Sequence, residues 1–135
     1  MINVVISGVT GKMGKSLVKL ISSKEEWNIV GGLASEKNRL IGKDIGIISG
    51  IGNLEISLTS SLVGIENPNV LIDFSEPSFS INILRLCKKQ NIPMVVGTTG
   101  FKKSELRFIS KSAEVIPILY APNTSPGISI VKIII

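Results

Sequence analysis

The stretch Val4-Val5-Ile6-Ser7-Gly8-Val9-Thr10-Gly11-Lys12-Met13-Gly14-Lys15-Ser16-Leu17 decides how this chain is read. An apolar strand ends in three glycines spaced three residues apart, and a helical pattern begins at once. Met13, Leu17, Leu20 and Ile21 recur on one face, while Lys12, Lys15, Ser16 and Lys19 take the other. A strand, a glycine turn and a helix start in that order suit the pyrophosphate of a nucleotide. The turn needs a residue without Cβ, the backbone must approach the phosphates, and the new helix aims unpaired N–H groups at them. The spacing differs from the more familiar G-x-G-x-x-G, so its meaning comes from the strand before it and the helix after it.

Working outward, Asn3–Ser7 is expected as the first strand and Trp27–Leu33 as the second. Residues 34–53, rich in Gly, Ser and charge, read as a long loop with one short helical turn, and Leu54–Leu58 as a short strand. Asn67-Pro68-Asn69 marks a turn before a buried strand, Val70–Phe74. Pro77 and Ser78 open a helix with Phe79, Ile83, Leu86 and Cys87 on its apolar face. Pro93–Val96 is the next strand and Lys103–Ser112 the next helix, with Leu106, Ile109 and Ala113 facing inward. Ile116–Tyr120 forms a last strand before the polar loop Ala121–Gly127. Strands alternating with helices imply an α/β fold, a doubly wound, mainly parallel sheet with helices on both faces.

Composition narrows the function classes. The 135 residues suffice for one ordinary domain, and 44% hydrophobic content excludes general disorder. No apolar run has the length of a membrane span, and the N-terminal run is too short for a secretory signal, so a cytoplasmic protein with no membrane partner is expected. The formal charge of +5 comes from scattered lysines, and only 4% of residues are aromatic, so stacking platforms for nucleic acid are scarce and an anionic small molecule fits the charge as well. One cysteine, Cys87, reads as a buried structural thiol. There is no histidine, which removes imidazole as acid, base or metal ligand within these residues and makes a zinc site an unexpected one.

In a doubly wound sheet the loops beyond the C-terminal strand ends form one rim. Gly8–Gly14, Asp73–Pro77, Gly97–Phe101 and Tyr120–Gly127 all fall there. Each has a plainer reading on its own. Asp73 reads equally as a cap for the helix after Pro77. Gly97-Thr98-Thr99-Gly100 reads as a simple turn, and Asn123-Thr124-Ser125 as a cap for a final helix. Their convergence on one rim favours a shared ligand.

The set Gly8-Val9-Thr10-Gly11-Lys12-Met13-Gly14, Ile72-Asp73-Phe74-Ser75-Glu76-Pro77, Gly97-Thr98-Thr99-Gly100-Phe101 and Ala121-Pro122-Asn123-Thr124-Ser125-Pro126-Gly127 closely resembles the dihydrodipicolinate reductase family. The resemblance covers nearly the whole chain in order, including Leu40-Ile41-Gly42-Lys43-Asp44-Ile45-Gly46, with Pro126 standing where the family usually has an aliphatic residue. It implies a Rossmann-type fold and an NAD(P)H-dependent oxidoreductase of the diaminopimelate route to lysine. By the same resemblance, Gly8, Val9, Thr10, Gly11, Lys12 and Met13 hold the cofactor pyrophosphate, and Gly97, Thr98 and Thr99 line the nicotinamide. Ala121, Pro122, Asn123 and Thr124 close over the ring, and Asp73, Phe74 and Ser75 support it. The acidic residue that pairs with an adenine ribose should fall near position 34, where Ala34 and Ser35 stand, with Glu36 a little later and Lys37 and Arg39 nearby. That set favours NADPH at least as well as NADH.

The family's His-His pair, lysine and Asp-Ala-Pro-Ser-Gly-Thr run, which bind the cyclic dicarboxylate substrate and supply the acid/base group, have no counterpart in this sequence. Residues 1–126 are therefore expected to be a dinucleotide-binding domain, and residues 127–135 the start of a truncated substrate and oligomerisation domain. Such a chain is expected to be inactive alone and not to form the homotetramer of the intact family. Two other readings stand beside this one: a non-catalytic nucleotide-binding remnant acting through interaction, and the N-terminal domain of another Rossmann enzyme, such as an aspartate or homoserine dehydrogenase or a CoA-binding protein.

Overall fold

The computed structural model describes residues 1–122. Asn123 and Thr124, with the expected final helix and the 127–135 segment, lie outside the described residues. The elements run β1 (Ile2–Ser7), α1 (Lys12–Ser22), β2 (Trp27–Leu33), α2 (Ile45–Ile48), β3 (Leu58–Thr59), β4 (Val70–Asp73), α3 (Pro77–Gln90), β5 (Met94–Val96), α4 (Lys103–Ser112) and β6 (Ile118–Tyr120). All six strands are parallel in the order β3-β2-β1-β4-β5-β6. The chain winds outward from β1 in one direction, then returns to place β4 on its other side. That reversal opens a crevice at the C-terminal ends of β1 and β4.

Period-2 alternation in the strands separates two cores. Val4 and Ile6 of β1, Ile72 of β4 and Val95 of β5 pack with Leu17, Val18 and Ile21 of α1. Val5, Leu71, Met94 and Val96 face the other way, against Ile81, Leu84 and Cys87 of α3 and Ile109 of α4. Two glycines in β2 let neighbouring segments close in. A Cβ on Gly31 would overlap the Ile65 side chain, and one on Gly32 would press Ile45 and Val9. Helices α3 and α4 share one face, so the opposite face over β4–β6 carries an apolar groove of about 710 Å³ lined by Val70, Val95, Pro117 and Leu119.

The loop between β2 and β3 is organised by one carboxylate. Asp44 caps α2, its Oδ2 accepting from the backbone N–H of Gly46 (3.0 Å), Ile47 (3.1 Å) and Leu54 (2.8 Å), and its Oδ1 from Ile56 (2.8 Å). Partial burial pushes this carboxyl up, but the four N–H groups together outweigh it and hold it below its ordinary 3.8. Asp44→Ala will cost about 2 kcal/mol in urea unfolding, because a cap and several backbone partners go together. For a carboxyl depressed on folding, the linked stability is complete above the unfolded value and lost as pH falls through the folded one. The gap between wild type and variant should therefore hold at neutral pH and close below 3.8; a gap independent of pH would contradict this.

Four local expectations need correction, one of them the last strand, which begins at Ile118 rather than Ile116. The expected strand at Leu54–Leu58 shrinks to Leu58–Thr59, since Leu54 and Ile56 give their N–H groups to Asp44. Phe74 leaves β4 and turns into the crevice rim. On α4 the inward face is Ile109 and Ser112, while Leu106 and Ala113 are exposed. Ser112 tolerates burial because its hydroxyl donates to the Phe108 carbonyl at 2.7 Å, and Phe108 sits beneath the cations of Arg85 and Lys88.

Candidate functional site

The glycine turn is built from backbone approaches that exclude side chains. Gly8 takes φ +86, and a Cβ there would collide with the Phe74 carbonyl. Gly14 sits against the Gly8 carbonyl with no room for a Cβ either. Gly11 differs. It has φ −80, and its nearest neighbour for a Cβ is the Gly8 oxygen at 3.4 Å, so it faces open space. Gly11 is also the N-cap of α1, and no side chain caps that helix. The first-turn N–H groups of Lys12, Met13 and Gly14 have no acceptor within the helix, and the dipole adds positive potential there. This cradle suits a phosphate.

Two clefts meet at that point. One, of about 370 Å³, is lined by Gly8, Thr10, Ser35, Asn38 and Phe79. The other, of about 390 Å³, is lined by Lys12, Met13, Gly97, Thr98, Thr99 and Pro122. Gly11, Phe74 and Ser75 line both. The Phe74–Ser75 ridge between them is fixed from three sides. The Phe74 N–H donates to the Ser7 carbonyl (3.0 Å), the Ser75 N–H donates to Thr98 Oγ1 (2.9 Å), and the Phe74 ring fills the space a Gly97 Cβ would need.

Behind the ridge lies a buried carboxylate. Asp73 is fully buried, and its Oδ1 accepts from Ser75 Oγ (2.6 Å) and its Oδ2 from Thr98 Oγ1 (2.9 Å) and the Ser80 hydroxyl. Asp73 thus does not cap α3, whose N-cap is Glu76 without a side-chain bond. Ser80, one turn into α3, belongs to this cluster, although the sequence marked only Asp73, Ser75 and Thr98. The Thr98 hydroxyl is committed to protein partners, whereas Thr99 is exposed in the second cleft. Val9 is likewise buried, its side chain in the core against Gly32 and its position marked by the backbone alone.

Asn38 and Phe79 are the other residues that sequence reading did not single out for the site. Asn38 Nδ2 donates to Thr10 Oγ1 at 3.0 Å, tying the loop after β2 to the glycine turn. Ser35 Oγ accepts from the Lys37 N–H at 3.3 Å. Cys87 is buried, and its thiol is pushed up to about 12, chiefly by burial and then by the negative charge of Asp73, so it is no nucleophile. Among the described residues no cluster of three His, Cys, Asp or Glu side chains is placed to hold a metal. No helix among them is long and apolar enough to cross a membrane.

An all-parallel sheet with a switch point, a glycine turn into a helix and paired clefts on one rim define a Rossmann-type, dinucleotide-binding fold. Residues 2–124 match the family model described as "Dihydrodipicolinate reductase, N-terminus", and the chain belongs to that family. A 4-hydroxy-tetrahydrodipicolinate reductase from Psychrobacter arcticus is 34% identical over 131 residues, covering 96% of this chain and 47% of the relative. The solved dipicolinate-bound dihydrodipicolinate reductase from Paenisporosarcina sp. TG-14 superimposes with a TM-score of 0.69 at 28% identity, over 91% of this chain and 48% of that one. The Candida albicans aspartate semialdehyde dehydrogenase with NADP shares the fold alone, at TM-score 0.66 and 12% identity, over 89% of this chain and 42% of its own. The chain spans about half the length of the curated relatives it matches.

Proposed function

We propose that this chain is the cofactor-holding part of a 4-hydroxy-tetrahydrodipicolinate reductase, which takes hydride from NAD(P)H to a cyclic unsaturated dicarboxylate in lysine and diaminopimelate biosynthesis, in the cytoplasm. The observation that carries this reading is the meeting of two clefts at Gly11, on the uncapped start of α1. A dinucleotide has two arms joined by a pyrophosphate, and the site has two clefts joined by a phosphate cradle. The adenosine arm belongs beside Ser35 and Asn38. The nicotinamide arm belongs beside Thr99, with Ala121 and Pro122 at its edge and Asn123 and Thr124 following. The cofactor, when bound, supplies the hydride; the chain's residues bind it, orient it and exclude water from one side of the ring.

In this reading, substrate binding, proton donation and tetramer assembly fall to the remainder of the protein, since these 135 residues span 47% of the Psychrobacter arcticus relative. Calorimetric titration with NADPH and NADH tests the reading directly. Saturable binding of at least one is expected, and failure of both at millimolar concentration overturns it.

Cofactor choice should follow the residues after β2. Ser35 lines the adenosine-side cleft, Lys37 and Arg39 flank Asn38, and the carboxylate in that lining, Glu76, comes from the start of α3 rather than from the end of β2. Cations and hydroxyls there favour a 2′-phosphate over free ribose hydroxyls. The double variant Lys37→Glu, Arg39→Glu should weaken NADPH about tenfold while leaving NADH within about twofold, as expected for loss of two partly screened charges. Equal loss for both cofactors would show that these cations do not read the 2′ position.

A further inference from the structure

We propose that Asp73 acts on a nicotinamide ring through its charge, favouring the oxidised, cationic ring over the neutral dihydro ring. The proposal rests on the placement of that ring in the cleft beside Thr99. Ser75 and Thr98 both line this cleft, and both donate their hydroxyls backward to the Asp73 carboxylate. The carboxylate therefore lies one hydrogen bond behind the cleft wall. Asp73 is fully buried, and its partners are the three hydroxyls of Ser75, Ser80 and Thr98. Hydroxyl dipoles solvate the charge without neutralising it.

The two redox states of the cofactor differ at the ring by one positive charge, and their phosphates are the same. A fixed negative charge behind the wall thus distinguishes them, whereas the cradle at α1 does not. The opposing cation in the same cleft is Lys12, but it is exposed on a flexible stem, where water and salt screen it. A buried charge is screened far less. Of the two side-chain charges, the carboxylate is consequently the less screened at the ring. The same cluster pins the Phe74–Ser75 ridge to the Gly97–Thr99 loop, so charge and wall geometry come from one set of residues.

The test is a comparison of affinities for NADP⁺ and NADPH, read by calorimetry on the full 135-residue chain, in wild type, Asp73→Asn and Ser80→Ala. Asp73→Asn keeps the side-chain shape and removes the charge. It should weaken NADP⁺ about tenfold relative to NADPH, the size expected for a charge acting over several ångströms at an effective dielectric near 20. Ser80→Ala keeps the carboxylate and loosens its support, so both affinities should change by the same factor. An Asp73→Asn variant that loses both forms equally overturns the electrostatic role and leaves Asp73 a purely positioning residue. If Asp73→Asn does not fold, wild type decides: tighter binding of NADP⁺ than of NADPH supports the proposal, and the reverse order overturns it. Binding of neither form by wild type would instead remove the proposed function on which this role depends.

Discussion

Gly8→Ala will lower stability by about 3 kcal/mol, while Gly11→Ala will leave the fold nearly unchanged and cost most of the dinucleotide affinity. The two glycines lie three residues apart in one turn, yet they are needed for different reasons. Gly8 has φ +86, which a residue with Cβ rarely adopts, and its Cβ would meet the Phe74 carbonyl, part of the backbone with no rotamer to yield. Strain and overlap add, so the thermal midpoint should fall by roughly 10 °C in a domain of this size. Gly11 has ordinary φ −80 and only the Gly8 oxygen at 3.4 Å near its would-be Cβ. A methyl there costs the fold little and adds bulk at a residue that lines both clefts. Affinity for NADPH should fall about a hundredfold, because a phosphate can no longer approach the N–H groups of α1. Thermal unfolding and calorimetry on both variants separate the effects. Wild-type stability in Gly8→Ala, or wild-type affinity in Gly11→Ala, would contradict the respective assignment.

Local signals carried the fold well. Trp27–Leu33 and Lys103–Ser112 are the observed limits of β2 and α4, since each is bounded by its own turn chemistry and periodicity. The signal failed where a distant group redirected the backbone. Leu54-Glu55-Ile56-Ser57-Leu58 alternates like a strand, but Asp44, ten and twelve residues earlier, takes the N–H groups of Leu54 and Ile56. Only Leu58 and Thr59 remain to pair with Gly32 and Leu33. On α4, helical spacing alone made Leu106 and Ala113 as eligible for the core as Ile109. The packed sheet chose Ile109 and Ser112, a turn that also sets Phe108 under Arg85 and Lys88 of the neighbouring helix.

The candidate site shows the same division. The glycine turn and the Gly97–Thr99 loop were legible because their residue types suit a backbone task. The partners of Asp73 were less so. Ser80 is seven residues away and Thr98 twenty-five, and nothing local distinguishes Ser80 from Ser78, the other serine of α3. Asn38 was hidden for a similar reason: its bond to Thr10 depends on the path of the loop after β2. Both are supporting contacts between segments, and their logic exists only once the sheet has assembled.

The 135-residue chain should bind NADPH yet show no measurable reduction of the cyclic dicarboxylate substrate. Holding the hydride donor is only one half of the chemistry. Transfer requires the acceptor carbon near van der Waals contact with the ring, an arrangement worth roughly 10⁵-fold or more when it replaces chance encounter. A positioned general acid contributes about 10²- to 10⁴-fold further. The described crevice presents backbone N–H groups, hydroxyls and Lys12, and the sequence contains no histidine to serve as that acid. The expected rate is therefore at least about a millionfold below that of an intact enzyme. A chimera joining residues 1–126 to the second half of the Psychrobacter arcticus relative should regain turnover, because the first halves of the two proteins belong to one family and are 34% identical. Consumption of NADPH followed at 340 nm, a general property of the dihydronicotinamide ring rather than of this protein, reads both experiments. Substantial turnover by the 135 residues alone would show that the crevice itself holds substrate and acid. A folded, NADPH-binding chimera without activity would show instead that the two halves must be matched to each other.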